Sequence, residues 1–425
     1  MKIIFLSTWF PYPLSQGSKI RAYHLLQALA RQHEITLVSF VDTKIENEWL
    51  AHISSLCHKV ELIQRDPFAS QSRQTALGRL SLRPTSVVAT HSPEMAARVQ
   101  RLAFDWTPDR IIALTFVTAP YALKIPDVPK VVDVDNLMTQ MLYEAYQQTR
   151  HPAQKFRRWL AWQKFQRYER WLFGQFDLLL AISAQDRRTL QTLIPAKSGK
   201  IVIVPNGVDT VSHRLGLSPA TPNTLIFNGA LTYSPNYEAI NYFLQNIFPL
   251  VRAEIPDIRL QITGSTDKVP LTQLPLDDHV IFTGYLPDIR PAVAGSWVCV
   301  VPLRSGGGTR LKILEAMALG TPVISTSKGA EGLTAIDGKH LLIADTPGEF
   351  AAQTVHLLRN PELRRMLTVN ARQLVEEKYN WVEIGQQFCE FAEGVVTCRK
   401  KRDILATWPE ERNHGNNEGR SLSPG

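Results

Sequence analysis

The sequence predicts an α/β protein made of two doubly wound halves. Three observations carry that prediction. Short apolar runs alternate with segments of helical periodicity. A stretch rich in Gly, Pro, Ser, Asn and Thr interrupts the alternation once, near the middle of the chain. The 425 residues, 44% of them hydrophobic, are enough for two separate cores.

In the first half, KIIFLS (2–7) reads as a buried strand, and the loop after it contains WFPYPLSQGSK (9–19). A helix is predicted from about Ile20 to Gln32, with Leu25, Leu26, Leu29 and Ala30 on its apolar stripe. EITLVSFV (34–41) is the next strand. RIIALTF (110–116), KVVDVD (130–135), DLLLAIS (177–183) and KIVIVPN (200–206) continue the series. PNGVDTVSHRLGLSPATPN (205–223) keeps no hydrophobic period and reads as the interdomain linker. The pattern restarts with TLIFNGA (224–230), IRLQITGS (258–265), VIFTGYL (280–286), SWVCVVPL (296–303) and TPVISTS (321–327). A last helix is predicted in NWVEIGQQFCEFAEGVV (380–396), before a basic tail, 399–425, that lacks the apolar content to fold.

No apolar stretch approaches the length a bilayer requires. The opening MKIIFLSTWF has one lysine and a very short apolar run, so it reads as a strand and not a signal peptide. Cys57, Cys299, Cys389 and Cys398 have no metal-ligand spacing, and Cys299, inside WVCVV, reads as a buried thiol. A reducing cytosol fits. The formal charge of +8 suggests an anionic partner: nucleotide phosphate, nucleic acid or acidic lipid. Zinc-finger spacing, an aromatic RNA-binding signature and a basic repeat are all missing, which ranks nucleic acid low.

The most informative stretch is PLRSGGGTRLKILEAMAL (302–319). In an open parallel sheet, ligands collect at the carboxyl ends of strands, beside the next helix N-terminus. SWVCVVPL is such a strand. A helix over Thr309–Leu319 follows it, with Leu311, Leu314 and Met317 as apolar stripe and Gly320 and Pro322 as its stop. Gly306, Gly307 and Gly308 would let phosphate oxygens reach backbone amides, where the helix dipole adds about half a positive charge. Arg310 and Lys312 bring full charges to the same turn, and Glu315 can accept hydrogen bonds from a diol such as ribose. The plain alternative is a flexible loop beside a surface Lys312–Glu315 pair worth only about 0.2–0.5 kcal/mol. Convergence of strand, glycines, cations and carboxylate favours the phosphate site. The tract is neither GxxxxGK[ST] nor GxGxxG: Ile313 follows Lys312, and Leu311 stands where a third glycine belongs.

With NGVD (206–209), GGGTRLKILEAMALGTPVIST (306–326) and GAEGL (329–333) on two doubly wound halves, the chain resembles the retaining glycosyltransferases of family 4, with the GT-B fold. The likeness covers roughly residues 1–395. It implies two Rossmann-like domains facing across a cleft: an acceptor-side domain (1–205), a linker (206–222) and a nucleotide-sugar donor domain (223–380). A C-terminal helix over 381–398 is expected to return to the first domain. The resemblance further implies metal-independent transfer, without a cofactor, from a nucleotide-diphosphate sugar to a saccharide or lipid-linked saccharide. Retention at the anomeric carbon and a role in cell-envelope or exopolysaccharide synthesis come with it.

On the same resemblance, Gly229, Tyr285, Gly306, Gly307, Gly308, Thr309, Leu311 and Glu315 bind the donor, and the loop at Gly17 and Ser18 faces phosphates and acceptor. Two departures matter. Many members place two glutamates with seven residues between them; Glu315 matches the second, but Gly307 stands at the first. Many also carry Arg after the first donor-domain glycine and Lys a few residues later. Here Ala230 follows Gly229, and the loop ALTYSPN has no cation. Arg310 and Lys312 are expected to neutralise the leaving diphosphate from the other side.

Lys19 and Arg21 open the first helix, where the dipole disfavours cations; an anion docked nearby would account for them, as would exposure to solvent alone. In VVDVDN (131–136), Asp133 and Asp135 spell the D-x-D of metal-dependent glycosyltransferases of a different fold, and they share one strand face. Three residues match by chance often, and these lie far in sequence from the donor tract, so metal binding is disfavoured. The resemblance makes Asp135 or Asn136 the strand-end residue that touches the transferred sugar, with no nucleophile required.

The segment 143–176 interleaves seven Lys/Arg with aromatics that include Trp159, Trp162 and Trp171. Two readings stay open for it. Its aromatics pack inward beneath solvated cations, or it is an amphipathic surface lying on anionic membrane, to which the basic run at 399–402 would add. The protein is expected in the cytoplasm, peripheral on the inner membrane face under the second reading. An isomerase of the same architecture, such as a nucleotide-sugar epimerase, and a non-catalytic nucleotide-sugar-binding subunit are the competing functions.

Overall fold

A computed structural model describes residues 1–68, 81–308 and 310–395. Thr309, Cys398 and the tail 399–425 lie outside the described residues. Two parallel sheets are present, each with helices wound on both faces. The first has seven strands in the order β3-β2-β1-β4-β5-β6-β7. These are β1 (Lys2–Ser7), β2 (Glu34–Val41), β3 (Lys59–Gln64), β4 (Arg110–Leu114), β5 (Lys130–Val134), β6 (Leu178–Ala181) and β7 (Ile201–Ile203). The second has six, ordered β10-β9-β8-β11-β12-β13. They are β8 (Thr221–Asn228), β9 (Arg259–Thr263), β10 (Val280–Gly284), β11 (Ser296–Val301), β12 (Val323–Ser325) and β13 (Leu342–Ile343).

Burial explains why most of these strands are legible. Ile3, Ile4, Phe5 and Leu6 of β1 and Val298–Val301 of β11 are fully buried, as central strands covered on both faces must be. β3 is not among the predicted strands. It lies at the sheet edge, and Glu61, held by Lys59 at 2.8 Å and by Arg98, breaks its apolar run. The first helix spans Gly17–Ala30, starting before the predicted Ile20. In the added turn Gly17 stands against Leu311 and Ser18 bonds Asp135, so no hydrophobic period marks the helix start.

After the second sheet the chain crosses back. Val208 N–H donates to the Tyr379 carbonyl at 2.8 Å, joining the linker to this return crossing. The helix Trp381–Glu393 then packs Trp381, Ile384 and Phe388 into the core that holds Leu25 and Leu26. Among the described residues, no helix is long and apolar enough to cross a membrane.

Strand order reverses between β1 and β4 in one sheet and between β8 and β11 in the other. Open α/β sheets collect ligands outside the carboxyl ends of strands at such reversals. The two crevices are therefore where site residues should be sought.

Candidate active site

Gly306–Gly308 leave the carboxyl end of β11 at the second crevice. Gly306 (φ 96°) and Gly308 (φ 78°) adopt left-handed backbone that side chains resist. Arg310, 6% exposed, lies beneath them. Its guanidinium donates to the Gly306 carbonyl at 2.6 Å and to the Gly307 carbonyl. C=O and N–H point oppositely in a trans peptide, so holding these carbonyls turns the Gly307 and Gly308 amides away from Arg310. This corrects one expectation: the Arg310 charge does not stand in the cleft but braces the loop, and burial lowers its pKa.

Lys312 behaves differently. It sits in the first turn of the helix Leu311–Leu319, and its Nζ donates to Asn236 Oδ1 at 2.9 Å. The ammonium lies 3.9 Å from the Phe227 ring centroid and beside Gly229 at the end of β8. The helix thus delivers a cation to the position whose own loop has none. Burial, with Arg310 acting in the same direction, pushes the Lys312 pKa down to about 7. The surface Lys312–Glu315 pair does not form. Asn228 Nδ2 donates to Glu315 Oε2 at 3.2 Å and to the Lys312 carbonyl at 3.3 Å, and burial raises the Glu315 pKa. The Cys299 thiol, buried against Asn228 Oδ1 at 3.4 Å, has its pKa pushed up to about 12.

On the facing domain, Asp135 is buried at the end of β5. Its Oδ2 accepts from Ser18 Oγ at 2.8 Å and from Asn136 Nδ2 at 3.2 Å. Burial raises its pKa against the pull of nearby Arg21. Arg21 itself is 1% exposed and grips Asp133 with two bonds of 2.6 and 2.7 Å. It also donates to the Pro205 carbonyl at 3.1 Å and to Asn206 Oδ1 at 3.0 Å. Arg21 therefore serves an internal carboxylate and the start of NGVD, not a docked anion, and the Asp133 half of the D-x-D is consumed. At the first crevice Thr115, a β-branched residue with φ 67°, places Oγ1 2.8 Å from Thr8 Oγ1.

The two sides meet. Gly307 and Gly308 line a cleft with Asp135, Asn136, Met141 and Glu144. A Cβ on Gly308 would stand 3.1 Å from Asn136 Oδ1, and one on Gly17 would stand 3.3 Å from Leu311 Cδ1. Lys328 bridges the two sides, reaching Glu144 Oε1 at 2.9 Å across the gap and also Glu331 on its own side. Gln185 Nε2 donates to Glu331 Oε1 at 2.9 Å. The free volume between these residues is about 30 Å³, and the cleft is partly open to solvent. Tyr285 is not in the cleft lining; it is 62% exposed at the end of β10.

Several site residues escape sequence reasoning. Asn228, Asn236, Glu144 and Lys328 belong to no recognised spacing, although GAEGL marks the neighbourhood of Lys328 and Glu331. Glu169 is another. Fully buried, it accepts from the Met138 and Thr139 amides at 3.0 Å each, and so caps the helix Met138–Gln148 that carries Met141 and Glu144. Burial raises its pKa to about 7.

Comparison with known families bears on this geometry. A model described as Glycosyltransferase Family 4 matches residues 15–212, and one described as Glycosyl transferases group 1 matches residues 222–360. The chain belongs to glycosyltransferase family 4. The gap between the two matches of this glycosyltransferase falls where the structure leaves one sheet for the other. An uncharacterized 44.6 kDa protein in the cps region of Klebsiella pneumoniae is 22% identical over 392 residues, covering 89% of this chain and 96% of its own. A phosphatidyl-myo-inositol mannosyltransferase of Mycobacterium leprae is 30% identical over 215 residues, 48% of this chain and 56% of that protein. Among solved structures, sucrose-phosphate synthase from Thermosynechococcus elongatus superposes with a TM-score of 0.70 at 18% identity. That match covers 92% of this glycosyltransferase and 98% of the synthase. Anabaena HepE, solved with UDP and glucose, gives 0.65 at 16% identity, covering 93% and 100% of the two chains. The fold is GT-B.

Proposed function

We propose that this glycosyltransferase moves a sugar from a nucleoside-diphosphate donor to a hydroxylated acceptor, without a metal and with retention at the anomeric carbon. One observation carries the reading. The glycine amides, freed by Arg310, and the Lys312 ammonium at Gly229 converge on one crevice, opposite Ser18 and Asp135. The diphosphate lies against those amides and that ammonium. Glu315, oriented by Asn228, takes the ribose hydroxyls, and the exposed Tyr285 ring offers a stacking face to the base. Asp135 and Asn136 meet the transferred sugar.

In the reaction, the C1–oxygen bond to the diphosphate breaks and its electron pair leaves on the phosphate oxygen. The acceptor oxygen bonds C1 on the same face, and its proton passes to that phosphate oxygen. Preorganised amides and Lys312 stabilise the charge as it develops. Retention rests on the family resemblance. Metal independence is supported by Asp133, whose two oxygens are engaged by Arg21. The likenesses to a phosphatidyl-myo-inositol mannosyltransferase and to HepE, solved with UDP and glucose, favour a nucleotide-sugar donor and a saccharide or lipid acceptor.

The test is release of nucleoside diphosphate from a panel of UDP-, GDP- and ADP-sugars in the presence of a chelator, with the product anomer read by NMR. Turnover of one donor class with retained configuration is expected. Donor recovered with an altered sugar and no diphosphate released would identify an epimerase; binding without turnover would identify a non-catalytic subunit.

A further inference from the structure

The helices Met138–Gln148 and Pro152–Phe173 pack as a hairpin, and the two readings of this segment divide along its length. From Trp162 onward the aromatics turn inward. Trp162 packs on Tyr143 and Tyr146 at centroid distances of 4.8 and 5.9 Å, while Phe165, Tyr168, Leu172 and Phe173 are buried. Before it, every residue from His151 to Leu160 is exposed.

That exposed end is not polar. Phe156, Trp159 and Leu160 are 62%, 39% and 42% exposed, and their i, i+3, i+4 spacing puts them on one helix face. The Phe156 and Trp159 rings stack at 5.8 Å. Lys155, Arg157 and Arg158 interleave with them, and the stretch 151–160 contains no Asp or Glu. The first helix of the hairpin holds two of these cations near the tip: Arg158 donates to the Ala145 carbonyl at 2.7 Å, and Lys155 lies 5.3 Å from the Tyr146 centroid.

The geometry points to this end of the hairpin as a docking surface for an anionic lipid bilayer. An apolar stripe flanked by cations satisfies both layers of such a surface at once. The rings and Leu160 enter the acyl boundary, Trp159 takes the interfacial depth that indole prefers, and the cations meet lipid phosphates. Each cation near an anionic surface strengthens partitioning about fivefold. A second copy of the chain is a poor occupant, because it would set like-charged tips against each other. The hairpin's other helix carries Met141 and Glu144 of the cleft, so docking holds the cleft close to the membrane plane. A lipid-borne acceptor would then be delivered beside it. That extension rests on the glycosyl-transfer reading, whereas the docking surface does not.

The experiment is co-sedimentation of the full chain with phosphatidylcholine vesicles, with and without added phosphatidylglycerol. Wild type is expected to bind only the phosphatidylglycerol vesicles. Lys155→Gln/Arg157→Gln/Arg158→Gln and Phe156→Ser/Trp159→Ser/Leu160→Ser should each lower partitioning at least about tenfold. Thermal unfolding and donor hydrolysis without lipid should stay unchanged, which separates loss of docking from loss of catalysis. Should a triple variant unfold, the single changes Arg157→Gln and Trp159→Ser carry the same test. No vesicle binding by wild type, equal binding to pure phosphatidylcholine, or undiminished binding by both variants overturns the proposal. So does wild-type self-association that the apolar variant abolishes in the absence of vesicle binding, which would make the stripe a protein interface.

Discussion

The Lys312 ammonium fills the space that a side chain at Gly229 would need: a Cβ built there would stand 2.6 Å from Nζ. The loop after Gly229 contains no cation of its own. The fold restores one by aiming the first turn of a helix that begins more than eighty residues later (Leu311) at the end of β8. Of the two cations on that turn, only Lys312 arrives. Arg310 is turned under the glycine loop.

Because burial depresses the Lys312 pKa to about 7, much of the free protein holds it neutral above that value. A diphosphate beside it favours the charged form, so donor binding should take up a proton, and affinity should fall as pH rises past about 7. Calorimetry in buffers of different ionisation enthalpy measures this uptake. Lys312→Met should abolish it and weaken nucleotide binding on the order of tenfold to a hundredfold. Between the folded pKa of about 7 and the ordinary 10.5, the unfolded chain binds more protons at this lysine than the folded one. Its contribution to stability therefore rises with pH across that window and is least favourable below it. Lys312→Met should accordingly preserve or raise the melting temperature at neutral pH.

Adjacent glycines in the loop should respond differently to the same substitution. A Cβ on Gly307 would meet only Met141 at 3.6 Å and Asn136 at 3.8 Å, ordinary contacts. Gly307→Ala should fold normally yet lose nucleotide affinity, since its methyl enters the cleft. Gly308→Ala combines positive φ with a 3.1 Å approach to Asn136 and should cost about 1–2 kcal/mol of stability as well. Thermal unfolding alongside nucleotide titration distinguishes the two.

Asp133→Asn would leave the Arg21 guanidinium buried without its counter-ion, a loss of about 3–5 kcal/mol in chemical denaturation. Chelators should leave wild-type activity unchanged. A stable Asp133→Asn protein whose lost activity returned with manganese would instead restore the D-x-D metal reading.

Glu169 gives a stability prediction at a distance from the chemistry. Its folded pKa of about 7 exceeds the ordinary 4.5, so the folded chain binds more protons here between those values. Its contribution falls as pH rises through that window. Glu169→Gln should flatten that slope in urea titrations. Glu169→Ala would orphan the Met138 and Thr139 amides, at about 1–3 kcal/mol each, and loosen the helix bearing Glu144.

The central strands and the glycine tract were legible because continuous apolar runs and glycine–cation clustering are local signals. Pairings across long separations were not. Arg21 resembles an anion-binding residue at a helix start until Asp133, 112 positions away, is brought against it. Arg310 and Lys312 are equivalent in sequence; only the helix boundary between them sends one back to the loop carbonyls and the other to Gly229. In the aromatic-basic hairpin burial stops part-way along one continuous helix, a change that composition does not encode.

A crystal structure with the bound nucleoside diphosphate tests the central claim most directly. Phosphate oxygens should lie about 2.7–3.2 Å from the Gly307 or Gly308 amide and within reach of Lys312 Nζ. Phosphates bound away from this loop, or held through a metal on Asp135, would contradict it.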